Sequence, residues 1–186
     1  MTNRFLEAIR LVLDTARRGG FRVALIGGFA LPFYGVRRAT GDVDFLVEAT
    51  GADALDTALV SAGLRRIHRS KNAAHYAPSG RSPCPIDLLY ARRPPSLAML
   101  ERAREQPLGR GKSSVPVVDV EAIIGLKVQA IANNPKRRRR DEDDIAALLE
   151  RHAGEVDLAL LREYFALFGK SDALDAILAE IRKTRR

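Results

Sequence analysis

The sequence predicts an α/β protein, because short apolar runs of strand length alternate with segments whose apolar residues recur at helical spacing. One strand-length run is VALI at residues 23–26, and another is IDLLY at residues 86–90. Beyond residue 118 only helical patterns remain. We therefore expect a core over residues 1–118, in which helices pack on a short sheet, and a helical C-terminal part over residues 119–186.

The individual elements can be placed from periodicity and from glycine positions. Apolar residues at helical spacing predict a first helix over residues 3–18, and Gly19-Gly20 ends it. The later elements are expected in this order: a strand at 23–26, a turn and short helical segment from Gly27, a strand that contains Asp42 and Asp44, a helix at 52–62, a hairpin of 64–68 and 73–77, a strand at 85–90, a helix at 92–106, an extended segment at 115–118, and helices at 119–131, 141–152, 157–168 and 171–186.

Charge is the unusual bulk property of the chain. Of its 186 residues, 31 are Lys or Arg and 23 are Asp or Glu, which gives a net charge of +8. Such a balance favours a polyanionic partner, most directly nucleic acid, although an arginine-rich composition in general would give the same number.

Other features of the composition exclude several classes of protein. A single cysteine, Cys84, excludes an internal disulfide, and three histidines provide no zinc-ligand cluster. No apolar run reaches membrane-spanning length, and the first residues lack the apolar stretch of a signal peptide. We therefore expect a reducing, cytoplasmic setting.

The stretch from Ala24 to Glu48 combines two features that suit phosphate chemistry. The turn at Gly27-Gly28 opens a helical segment, whose backbone N–H groups form an anion site. Asp42 and Asp44 lie two residues apart in an apolar run, so on a strand their side chains share one face. Paired hard oxygen ligands suit Mg²⁺, which binds one or two protein carboxylates and keeps positions for water and phosphate. Two solvated aspartates on an edge strand are the simpler alternative.

Together these residues form a motif that resembles the signature of the nucleotidyltransferase superfamily, which has the DNA polymerase β-like fold. The similarity is to the AbiEii/MenA-like toxin branch, and its residues are Gly27-Gly28 followed by Arg38-x-Thr40-x-Asp42-x-Asp44. The resemblance implies a short mixed sheet flanked by helices, with residues 1–118 as the catalytic core and 119–186 completing the active site. Many relatives carry serine where this chain has Gly28, so that hydroxyl contact with phosphate would be missing.

Asp87 is a further candidate, because it interrupts the apolar run at residues 85–90. A carboxylate within such a run is costly unless it meets a metal, a donor or water. The resemblance implies that Asp87 is a third carboxylate beside the pair, either as a metal ligand or as the base that activates the acceptor hydroxyl. A position on the solvated face of an edge strand is the alternative.

Lys127 lies in the middle of the apolar stripe of the helix at 119–131, so its ammonium must reach water or a buried anion. The resemblance implies that Lys127 faces the nucleotide phosphates; an ion pair with Asp141 or Asp144 is an alternative. These two acids extend the inward face of the next helix. Arg140-Asp141-x-x-Asp144-Ile145 is similar to the family's final motif, which adds both acids to the nucleotide site.

Five consecutive cations, Lys136 to Arg140, precede these acids. They either contact a nucleic-acid backbone or form a solvated helix start.

The resemblance implies transfer of a nucleoside monophosphate from an NTP to a hydroxyl acceptor, with Mg²⁺ or Mn²⁺ on Asp42, Asp44 and Asp87. The nucleotide would be bound by residues of all three motifs: Gly27, Gly28, Arg38, Thr40, Lys127, Asp141 and Asp144. RNA, in particular tRNA, is the expected acceptor, and an antitoxin protein is a possible partner. A small-molecule nucleotidyltransferase of the antibiotic-modifying type and a catalytically silent nucleotide- or RNA-binding module are the two other readings.

Overall fold

A computed structural model describes residues 3–80, 84–109 and 113–184. They fall into two compact units. The sheet unit comprises Met1–Leu31 and Arg38–Asp119, and the helical unit comprises Pro32–Arg37 and Val120–Arg186. No helix in the described part of the chain is both long and apolar enough to cross a membrane.

The sheet unit alternates helices and strands, as the apolar runs predict. Its elements are α1 (Asn3–Gly19), β1 (Val23–Ile26), α2 (Gly27–Ala30), β2 (Val43–Glu48), α3 (Ala52–Ser61), β3 (Leu64–Arg69), β4 (Ala73–Pro78), β5 (Ile86–Ala91), α4 (Pro94–Arg102), β6 (Arg104–Pro107) and β7 (Ser114–Val117).

The described strands form one mixed sheet in the order β3-β4-β5-β2-β1-β7-β6. Pairing is antiparallel for β1 with β2, β3 with β4, β4 with β5 and β6 with β7, and parallel for β2 with β5 and β1 with β7. In the central strand β2, Val43, Phe45 and Val47 are completely covered. This confirms the inward face that the alternation in residues 42–48 predicts.

The prediction for one helix is wrong at its C-terminal end. The helix expected over 92–106 stops at Arg102, and Ala103 turns the backbone out of helical geometry with ψ at 142°. Residues Arg104–Pro107 then pair with β7 as an edge strand. Its polar sequence, REQP, has no apolar alternation, so only the pairing with β7 identifies it as a strand.

The helical unit contains α5 (Val120–Asn133), α6 (Arg138–His152), α7 (Leu158–Leu167) and α8 (Ser171–Thr184), with a 3₁₀ turn at Pro135–Arg137. Its apolar core draws on all four helices: Ile123, Ile124, Leu148, Leu149, Leu161, Phe165, Leu174 and Ile181. Gly125 lets α7 approach α5 closely, because a Cβ at this position would lie 2.7 Å from the Tyr164 ring. The helical C-terminal segments therefore form as the periodicity predicts.

Candidate active site

Strand register brings two distant aspartates side by side. Asp44 on β2 lies directly opposite Asp87 on the parallel strand β5, and residues opposite each other in neighbouring strands share a face. Asp42 immediately precedes β2, two residues before Asp44, and therefore lies towards the same face. The sheet thus collects carboxylates from two segments more than forty residues apart in the sequence.

Asp42, Asp44 and Asp87 form what we call the carboxylate cluster. One carboxylate oxygen from each lies within 4.8 Å of the other two, and all three side chains are half-buried. Three like charges at this spacing repel one another unless a cation lies between them. A donor set made only of carboxylate oxygens fits a hard cation such as Mg²⁺ or Mn²⁺.

Gly27 makes room for the carboxylate cluster. Its φ of +65° lies in the left-handed region that favours glycine. A Cβ on Gly27 would also overlap the carboxylate of Asp44, and a Cβ on Gly28 would lie 3.0 Å from both Cβ and Oγ1 of Thr40. The double glycine therefore lets the turn after β1 pass directly against the two motif residues.

Thr40 fixes one member of the cluster. Its hydroxyl Oγ1 donates a hydrogen bond of 2.6 Å to Oδ1 of Asp42. The threonine of the motif therefore acts on a carboxylate of the cluster, while its predicted phosphate contact stays a prediction. Arg38 is half-buried in the same unit, and its predicted phosphate contact also stays a prediction.

His75 is a neighbour of the cluster that the sequence analysis did not identify. It lies on β4 directly opposite Asp87, and its Nδ1 is 2.9 Å from Oδ1 of Asp87. The predicted strand over 73–77 includes His75, but nothing in its alternation shows which residue of β5 it faces. The pairing of β4 with β5 was the missing information.

In the helical unit, Lys127 is a buried cation with two carboxylate partners. Its Nζ lies 2.9 Å from Oδ1 of Asp141 and 2.5 Å from Oδ2 of Asp144. Arg137 Nε donates to the second oxygen of Asp141 at 3.0 Å. The positive charges of Lys127 and Arg137 thus balance the negative charges of Asp141 and Asp144. This balance matters because Asp141 is fully buried. These contacts are the ion pairs that the sequence left open as an alternative, and contact of Lys127, Asp141 and Asp144 with a nucleotide stays a prediction.

Cys84 does not offer a nucleophile. The side chain is buried, and burial raises the pKa of its thiol to about 11. A buried thiol that stays protonated is a weak nucleophile, so no covalent role is assigned to Cys84.

Comparison with solved structures shows which fold the chain has. The chain is similar to the antibiotic-resistance factor ANT(2'')-Ia in solution, at 14% identity and a TM-score of 0.58, over 100% of this chain and 98% of that one. It is similar to an antigenic nucleotidyltransferase-like protein from Paracoccidioides brasiliensis, at 15% identity and a TM-score of 0.55, over 96% and 93% of the two chains. A lincomycin-bound lincosamide antibiotic adenylyltransferase, LnuA, aligns at 15% identity and a TM-score of 0.51, over 80% and 96%. This fold is that of the nucleotidyltransferases.

The family follows from the sequence. Residues 13–186 match the family described as nucleotidyl transferase AbiEii toxin, type IV toxin–antitoxin system, and the chain belongs to that family. It is accordingly a transferase enzyme. The family match confirms the resemblance that the motif around Asp42 indicates. Comparison with curated proteins finds no match.

Proposed function

We propose that the chain transfers a nucleoside monophosphate from an NTP to a hydroxyl group of an RNA acceptor, tRNA in particular, as the toxin of a toxin–antitoxin pair. The observation that carries the proposal is the carboxylate cluster, whose three oxygens lie within 4.8 Å of one another beside the Gly27 turn. Asp42, Asp44 and Asp87 would hold Mg²⁺ or Mn²⁺, which when bound stabilises negative charge on the reacting phosphoryl oxygens.

The chain's own groups have distinct roles in this proposal. The backbone N–H groups of Gly27 and Gly28 and the guanidinium of Arg38 bind the triphosphate. Thr40 keeps Asp42 in one orientation through its hydrogen bond of 2.6 Å. Asp87 either completes the ligand set or accepts the proton of the acceptor hydroxyl, which must approach within hydrogen-bonding distance of that carboxylate.

Lys127, Asp141 and Asp144 remain candidates for nucleotide binding. The two ion pairs at Nζ define what this requires, since a phosphate would have to join or replace a carboxylate that already contacts the ammonium. Any gain in nucleotide affinity from Lys127 is therefore reduced by the interaction that Lys127 already makes.

Charge supports RNA as the acceptor. The chain has a net charge of +8, and in the basic run Lys136, Arg139 and Arg140 are exposed to solvent. Arg137 and Arg138 instead pair with Asp141 and Glu142 one helical turn ahead. Part of the run is therefore available to a phosphate backbone, and part stabilises the start of α6.

A small-molecule acceptor is the second candidate. Two of the solved structures with this fold are described as an antibiotic-resistance factor and as a lincosamide antibiotic adenylyltransferase. At 14% and 15% identity they share the fold with this chain, and one fold can serve different acceptors.

Incubation of the protein with each α-³²P-labelled NTP and Mg²⁺ tests both candidates in parallel. One set of reactions contains total RNA, and the other contains aminoglycosides and lincosamides without RNA. We expect label in RNA from one preferred NTP, release of pyrophosphate, and no label when EDTA is present. Label in a small molecule but not in RNA would replace the first candidate with the second.

A further inference from the structure

We propose that His75 is a positioning residue that holds Asp87 in the carboxylate cluster as the third metal ligand. The proposal rests on the proposed function of the cluster, but its first test measures metal binding and does not depend on catalytic turnover. Nδ1 of His75 lies 2.9 Å from Oδ1 of Asp87, within hydrogen-bonding distance. At this distance an N–H group on His75 Nδ1 can donate to the carboxylate of Asp87.

The sheet register places the pair correctly for this role. Reading across neighbouring strands, His75 on β4 lies opposite Asp87 on β5, which lies opposite Asp44 on β2. Asp44 in turn lies opposite Ile26, the residue before Gly27. Asp87 therefore has a carboxylate on one side and an imidazole on the other, both on the same face of the sheet.

The cluster needs such a support because its members repel one another. An aspartate side chain without a donor can rotate away from two neighbouring carboxylates. Asp42 receives a hydrogen bond from Thr40, and the Gly27 turn lies against Asp44. His75 gives Asp87 the corresponding restraint from the opposite strand.

His75 suits a precise restraint better than a long charged side chain would. Its imidazole is a short, rigid donor on a paired strand, and its side chain is 47% exposed. Truncation of His75 therefore removes the contact with Asp87 together with the ring contact with His68. Hydrogen bonds of this kind to metal-ligating groups orient them and typically change metal affinity or activity by about 10- to 100-fold.

Mn²⁺ binding to three variants tests the proposal, with electron paramagnetic resonance reporting free metal. His75→Ala removes the donor. His75→Asn keeps a nitrogen on Cγ, where Nδ1 is attached, whereas His75→Gln moves the nitrogen one bond further out. We expect Mn²⁺ affinity to fall about tenfold or more in the Ala and Gln variants. The Asn variant should recover most of that loss.

His68→Ala is the matched control. His68 lies next to His75 on β3, and their ring centroids are 5.7 Å apart. It is one strand further from Asp87, so its removal should leave Mn²⁺ affinity within about twofold of the wild type. Thermal unfolding of all four variants checks that the fold is retained.

The results separate this inference from the proposed function. Wild-type Mn²⁺ affinity in His75→Ala, or an equal loss in the Ala and Asn variants, would overturn the positioning role even if the wild type transfers nucleotides normally. A wild type that binds Mn²⁺ but labels no acceptor would count against the proposed function alone. Where transfer is observed, kcat should follow the same order of variants as metal affinity.

Discussion

Gly27 carries the strictest local requirement in the site, for two independent reasons. Its φ of +65° is strained for any residue with a Cβ, and that Cβ would also overlap the carboxylate of Asp44. The motif resemblance explains the glycine through phosphate binding, whereas the structure adds a reason internal to the protein. Position 27 must be glycine so that the Asp44 carboxylate can keep its place in the cluster.

Gly27→Ala should therefore damage the site and the fold together. We expect a loss of stability of about 1–3 kcal/mol from backbone strain and steric displacement, measured by chemical denaturation. Mn²⁺ binding should fall with it, because Asp44 must move. Gly154→Ala is the control, since Gly154 has no atom near its Cβ position and no positive φ. Equal stability and equal metal binding in both variants would contradict this account of Gly27.

At the scale of elements, the ion pairs between α5 and α6 change the expectation for Lys127. Snorkelling to water is excluded, because the residue is only 7% exposed and its ammonium contacts two buried carboxylates. Removing one partner of a buried ion pair leaves uncompensated charge in a low-dielectric environment. Asp141 and Asp144 would then also repel each other.

Lys127→Met should accordingly destabilise the protein by about 3–5 kcal/mol. Lys136→Met, the same change at an exposed site, should have little effect on stability. A double variant with Lys127→Met and Asp144→Asn removes one cation and one carboxylate, leaves the Arg137–Asp141 pair in place, and should regain part of the stability. Nucleotide affinity compared between this double variant and Asp144→Asn alone isolates the contribution of the Lys127 charge. Unchanged stability of Lys127→Met would contradict the importance of the ion pairs.

The sequence predicts those elements whose pattern lies within a few neighbouring residues, and it does not predict those that depend on pairing with a distant strand. The strand that carries Asp44 and the helix that carries Lys127 follow from periodicities within a few residues. The strand Arg104–Pro107 has no such periodicity, and only β7 makes it a strand. His75 faces Asp87 through the register of β4 with β5, which no pattern within either segment shows.

The candidate site shows the same limit. Asp42, Asp44 and Asp87 were identified because each is a carboxylate within or beside an apolar run, which is a local anomaly. The close fit between Gly27 and Asp44, by contrast, is a three-dimensional contact between segments seventeen positions apart. The sequence pattern identifies a carboxylate in an apolar run, whereas only the three-dimensional structure identifies the residue that contacts it.

For the whole molecule, net charge is informative only once the cations that pair with carboxylates are separated from the other exposed cations. Arg137 bonds to Asp141 and Arg138 pairs with Glu142, so changing either would mix RNA binding with helix stability. Lys136, Arg139 and Arg140 are exposed and provide a cleaner test.

Changing Lys136, Arg139 and Arg140 together to Gln should weaken RNA binding and flatten its salt dependence. With a slope near −0.7 per phosphate contact on single strands, three lost contacts reduce the slope by roughly two units. The control changes exposed cations elsewhere, Arg10, Arg18 and Lys71, to Gln, which lowers the net charge by the same amount. Equal effects in the two triple variants, measured by RNA titration at several salt concentrations, would show that overall charge and not this segment binds RNA.

The central claim is that the carboxylate cluster performs nucleotide transfer, and the most direct test is transfer from labelled NTP by Asp42→Asn and Asp44→Asn variants. Asparagine keeps the shape of aspartate but removes the negative charge that binds a hard cation. Asp143→Asn, at an exposed carboxylate of α6, is the matched control. We expect transfer to be abolished in both cluster variants, with folding confirmed by circular dichroism, and retained in the control. Near wild-type transfer by both Asp42→Asn and Asp44→Asn would contradict the account.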